Sequence, residues 1–198
     1  MFWATYEQQG NTIALWADDY TDRTIDLLIW RGEIPTTWFQ AFNPFMIFAF
    51  TPLIVGLWAW QARRGAEPST VVKMSIGCFG VALANMIMVG AAWQSAGGPD
   101  ASWLWLLGYF VVITIGELYL SPIGLSLVSK VAPARMVSML MGVWLGTSFT
   151  GNFIAGWLGS FWSGMDKAMF FVMIAGIAMI AGAVILAFDR PLKSVIGD

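Results

Sequence analysis

Long apolar stretches separated by short charged clusters set the pattern of this chain. Residues Trp38–Ala62 carry no charge over 25 positions, and Met74–Pro99 none over 26. Ala101–Ser129 holds one charge, Glu117, while Met136–Met165 and Ala168–Phe188 hold none over 30 and 21 positions. A helix needs roughly 20 mostly apolar residues to cross a bilayer, so each run predicts a membrane-spanning helix. The apolar/polar alternation of a membrane β-strand is not found. A sixth segment, from Met1 to about Ala17, is weaker, because Glu7, Gln8, Gln9, Gly10 and Asn11 interrupt it. It reads either as an amphipathic stretch lying on the membrane or as a spanning helix with a polar face turned into a bundle. Its polar middle and the lack of a basic start argue against a signal peptide. The pattern predicts an all-α membrane protein of six transmembrane helices, at about 1–17, 38–62, 74–94, 103–129, 136–162 and 168–188.

Composition agrees. Of the 198 residues 58% are apolar and 11% charged, against about 25% charged in an ordinary soluble domain. A net charge of −2 offers nothing to nucleic acid. One cysteine, Cys78, and no histidine leave no disulfide framework and no common metal site, so no cofactor is expected. No phosphate-binding glycine loop is present, and transport driven by nucleotide hydrolysis has no support. Threading six spans alternately puts Arg63, Arg64, Lys73, Lys130, Arg135, Arg190 and Lys193 on one side and only Arg23, Arg31 and Lys167 on the other. That bias predicts a cytoplasmic C-terminus. Trp16, Trp30, Trp38, Trp58, Trp60, Trp93, Trp103, Trp105 and Trp162 fall near the ends of the spans, as an interfacial belt would place them. Small residues four apart, Gly142 and Gly146, then Gly151, Ala155 and Gly159, predict close helix packing.

Glu117 is the sharpest candidate. An ionised group at mid-span costs roughly 3 kcal/mol or more and normally faces a polar cavity or a partner. Ser121 shares its helical face, and Pro122 predicts a bend or break. Glu7 is the second deep carboxyl; Trp3 shares its face, while Gln8 and Asn11 line an adjacent one. Asn43, with Gln40 three residues before it and Pro44 directly after, is an amide that needs partners, either interhelical or a ligand. Trp144 stands mid-span, where packing and ligand contact are both open.

The stretch GELYLSPIGLSLVSKVAPARMVSMLMGVWLGTSFTGNFIAG, Gly116–Gly156, resembles helices ten and eleven of the proton-dependent oligopeptide transporter family of the major facilitator superfamily. FWATYEQQG is similar to helix seven of that fold, WFQAFNPF to the start of helix eight and EPSTVVKMSIG to the entry of helix nine. The resemblance implies the C-terminal six-helix half, helices 7–12, of a proton-coupled symporter for di- and tripeptides in the bacterial inner membrane. It implies that Glu117 receives the peptide's amino terminus, with Ser121 and Asn43 beside it. Trp3, Tyr6 and Trp144 would line a side-chain pocket, Gln8 would be a cavity neighbour, and Glu7 would form a gating ion pair with a lysine of the other half. The motifs of the N-terminal half are absent, so the implied partners are protons, peptides, the lipid bilayer and an N-terminal half. The chain reads as a fragment, or as one half encoded separately. The same fold carrying nitrate or another organic solute, and a non-transporting membrane subunit, are the alternatives. The loop from about Asp18 to Thr37 is longer than the family's usual one and is expected to hold a short extra element.

Overall fold

The computed structural model describes residues 1–27, 30–98 and 100–191. Its helices are α1 (Phe2–Tyr6), α2 (Thr12–Asp19), α3 (Thr36–Arg63), α4 (Thr70–Ala96), α5 (Trp103–Val131), α6 (Val137–Gly159) and α7 (Lys167–Ala187). Of these, α3, α4, α5 and α7 are long and apolar enough to cross a membrane. At 1.5 Å per residue, the 23 residues of α6 reach about 34 Å, but its glycines, hydroxyls and Asn152 dilute its hydropathy. Lys193 lies outside the described residues.

The α4 helix occupies the centre. Ser69 caps it by accepting the Val72 amide at 3.2 Å, and its buried positions lie on more than one face, because α5 packs against one side and α7 against another. Glycines make both seams tight. A methyl added at Gly77 would sit 2.7 Å from the Gly116 carbonyl oxygen, and one at Gly182 would sit 2.6 Å from the Phe79 ring. In lipid, where no hydrophobic force pushes helices together, such close approach supplies the attraction. By contrast α3 and α6 are sparsely covered and turn Phe45, Phe48, Phe149 and Phe153 outward.

The first segment is neither a continuous helix nor a stretch lying on the surface. It runs as α1, a 3-10 turn over Glu7–Gly10, and α2, and it contributes Phe2, Ile13 and Trp16 to the core. The break falls on the polar EQQGN run. Gly151 and Gly159 of α6 give it room: a Cβ at Gly151 would lie 2.2 Å from that of Trp3, and one at Gly159 2.2 Å from the Asn11 amide. The small-residue stripe is therefore used on one side only, since a Cβ added at Gly142 or Gly146 would meet nothing within 4 Å among the described residues.

Two further expectations are corrected. There is no break at Pro122: α5 is continuous through it, as α3 is through Pro44 and Pro52. Each proline costs one backbone bond, and unwinding in an apolar medium would orphan several more. Trp16 and Trp162 are not belt residues; they are buried in an aromatic cluster with Tyr20, Phe170 and Phe171. The connection after α2 does hold a short extra element, as its length predicts: β1 (Thr21–Asp22) pairs in parallel with β4 (Ala101–Ser102), and β2 (Thr24–Leu27) forms a hairpin with β3 (Trp30–Glu33). Arg23 fastens this element, at 2.9 Å from Glu33, 3.8 Å from Asp18 and 3.3 Å from the Ile34 carbonyl. Thr24 donates twice to the Asp22 carboxylate and holds it below the usual aspartate range.

Candidate functional site

Glu117 stands halfway along α5, where three chain segments meet. Its Oε2 accepts the Tyr6 hydroxyl at 2.5 Å and the Asn43 amide at 3.1 Å. The same Asn43 nitrogen lies 3.2 Å from the Tyr6 oxygen and 3.3 Å from Thr114 Oγ1, so its two hydrogens are shared among three acceptors. Tyr6, Asn43 and Thr114 are buried, whereas Glu117 is half-buried. Among the described residues no lysine or arginine is ion-paired with Glu117. Two neutral donors thus hold one oxygen and leave the charge uncompensated.

The open side of Glu117 faces a cavity of about 530 Å³, walled by Trp3, Ile47, Trp58, Ser121 and Trp144 among others. The structure therefore brings Glu117, Ser121, Trp3 and Trp144 to one cavity. Tyr6 and Asn43 support Glu117 from behind and are not part of the wall. Glu7 is half-buried off the cavity, with Asn152 and Glu117 as its interacting neighbours.

Gln8 is not brought to the cavity. It is 1% exposed; its amide donates to the carbonyls of Ala4 (3.2 Å) and Ala155 (3.0 Å), and its oxygen accepts from Thr12 at 2.9 Å. It clamps α1 and α2 to α6. Gln8→Leu should leave buried partners unpaired and cost about 1–3 kcal/mol. Thermal unfolding in detergent should show that loss, with ligand affinity unaltered.

Sequence reasoning does not single out Thr114, which shares the Asn43 amide, or Thr51 and Ser148, which line the cavity. Thr114 lies three residues before Glu117 and Ser148 four after Trp144, so helical spacing held the signal for both. Trp58, expected near a span end in the interfacial belt, lines the Glu117 cavity. It stacks edge-on with Tyr119 at 5.3 Å and also borders a second, more polar cavity of about 480 Å³ that contains Glu67, Lys73 and Lys130. There Lys73, buried, pairs with Glu67 and lies 4.7 Å above the Trp58 ring.

The sequence profile of the POT family matches residues 1–174. The chain belongs to the POT family. It is 39% identical over 160 residues to the peptide transporter YePEPT of Yersinia enterocolitica, covering 80% of this chain and 30% of that transporter. It is 29% identical over 198 residues to a di-/tripeptide transporter of Lactococcus lactis subsp. cremoris, covering all of this chain and 39% of the relative. Among solved structures, a POT family transporter in complex with 5-aminolevulinic acid superimposes with a TM-score of 0.86 at 28% identity, over 96% of this chain and 38% of that one. A complex with a thioalcohol-conjugated peptide gives the same values. The chain spans between three and four tenths of the length of these relatives. This POT family chain is thus an integral membrane protein, and its named relatives are transporters rather than enzymes.

Proposed function

We propose that this chain is the C-terminal six-helix bundle of a proton-coupled symporter for di- and tripeptides, completed by an N-terminal half and working by alternating access. One observation carries the reading. Glu117 presents a carboxylate to a cavity with only neutral donors behind it, which suits an incoming ammonium group. In this reading Glu117 receives the peptide amino terminus, Asn43 and Tyr6 hold the carboxylate in place, and Ser121 adds a hydrogen bond. Trp3 and Trp144 offer apolar and cation–π surface to varied side chains. Glu7, outside the cavity, serves the gating pair with the other half. Gln8 is assigned to holding the segment rather than to substrate.

In this reading the first segment and α6 join α3, α4, α5 and α7 as the fifth and sixth crossings, and the C-terminus lies in the cytoplasm of the bacterial inner membrane. The names of the relatives support the substrate class. The uncovered apolar sides of α3 and α6 fit a second bundle pressed against them, and rocking the two about a midplane site would alternate access. The test is uptake into proteoliposomes by the assembled transporter, this chain with its N-terminal half. Dipeptide uptake should rise with an inward proton gradient and be inhibited by other dipeptides. Uptake indifferent to the gradient, or inhibited by nitrate and not by dipeptides, would refute the proposal.

A further inference from the structure

Trp144 reaches from α6 across to α5, and what it rests on is a glycine. A Cβ at Gly124 would fall 2.0 Å from the indole Cη2, 2.5 Å from Cζ2 and 2.8 Å from Cζ3. No side chain other than hydrogen fits beneath the ring in this position. Trp144 also has a cavity on each side. Together with Trp3 it lines both the Glu117 cavity and an outer apolar cavity of about 520 Å³, which Met74, Leu120, Ile177, Ala181 and Ile185 help to enclose. The two indoles therefore form a partition; the Trp144 ring rests on Gly124, whereas Gly151 lies against the Trp3 Cβ and backbone rather than its ring.

We propose that Gly124 is a specificity-determining position. It acts through Trp144, setting where the indole stands and hence how long an apolar substrate side chain the Glu117 cavity accepts. This rests on the peptide-transport reading above. Gly124 touches no substrate itself; it is a positioning residue. A methyl there lifts the far edge of the ring off α5, and the wall that a large side chain would meet moves with it. Trp144→Leu removes the ring atoms that would collide, so the added methyl then has nothing to displace.

The experiment measures uptake of Ala-Ala and Ala-Phe by the assembled transporter in four forms: parental, Gly124→Ala, Trp144→Leu and the double variant. In Gly124→Ala the ratio of kcat/KM for Ala-Phe over Ala-Ala should fall by about tenfold, the scale on which apolar pockets discriminate. The double variant should match Trp144→Leu within about twofold, because two substitutions sharing one contact do not add. A Gly124→Ala protein with the parental ratio overturns the proposal. So does a double variant that drops below Trp144→Leu by the same factor, which would place the effect in the backbone. The comparison within the Trp144→Leu background holds even where Gly124→Ala alone fails to reach the membrane. A parental protein that takes up neither peptide overturns both readings, whereas parental uptake with an unaltered Gly124→Ala profile overturns this one alone.

Discussion

Replacing Glu117 by glutamine is expected to lower kcat/KM for dipeptide uptake by about 100-fold, the scale for removing one partner of a desolvated charge pair. The substitution is nearly isosteric. An amide oxygen can still accept from Tyr6 and Asn43, which now reach Glu117 Oε2 at 2.5 and 3.1 Å, so the three segments should stay joined. What disappears is the charge that the cavity presents to an ammonium. An N-acetylated dipeptide separates this cause from a packing defect. The parental protein should discriminate strongly against it, and Glu117→Gln should treat free and acetylated peptides alike. Retained discrimination in the variant would mean that another group binds the amino terminus.

The second large effect concerns the seam between α4 and α5. Gly77→Ala should destabilise the protein by about 2 kcal/mol, as overpacking of a tight core does. The new methyl would meet the Gly116 carbonyl oxygen at 2.7 Å and the Leu120 Cβ at 2.8 Å, and the first of these is backbone. The α4 helix cannot retreat, because α7 lies against its other side with Phe79 over Gly182. Gly176→Ala is the control: a Cβ there would meet nothing within 4 Å among the described residues, and relief of helical glycine is worth up to about 1 kcal/mol. Unfolding in mixed micelles, followed by tryptophan fluorescence, should separate the two variants. Equal midpoints would show that the seam has slack.

What could be read from the residues follows from how each is distinguished in an apolar background. Glu117 declared itself because a charge amid 28 uncharged neighbours is rare and costly. Asn43 and Ser121 followed from polarity and spacing, but only the fold shows that Asn43 reaches Glu117 and that Thr114 shares its amide. A threonine in a membrane helix is too ordinary to mark itself. The first segment's polar centre signalled something other than a plain span; that it breaks at Gly10–Asn11 and packs on Gly151 and Gly159 depends on α6, more than 130 residues away. Gln8 misled because a polar side chain beside a cavity motif looks the same whether it faces ligand or a neighbouring carbonyl. The hairpin after α2 was foreshadowed only by loop length, since its strands are four residues each and show no alternation strong enough to read.

A single oxygen, Glu117 Oε2, is held by residues 111 and 74 positions away along the chain. No local stretch can build that arrangement, and α1, α3 and α5 must all be docked before it exists. Until then the carboxyl lacks both donors that hold it in the finished bundle, in surroundings where an unmatched polar group is expensive. The hydrogen-bonded cluster is therefore a seal on assembly: it cannot close until α1, α3 and α5 are docked, and a chain with α3 misplaced carries an unmatched carboxyl at its middle.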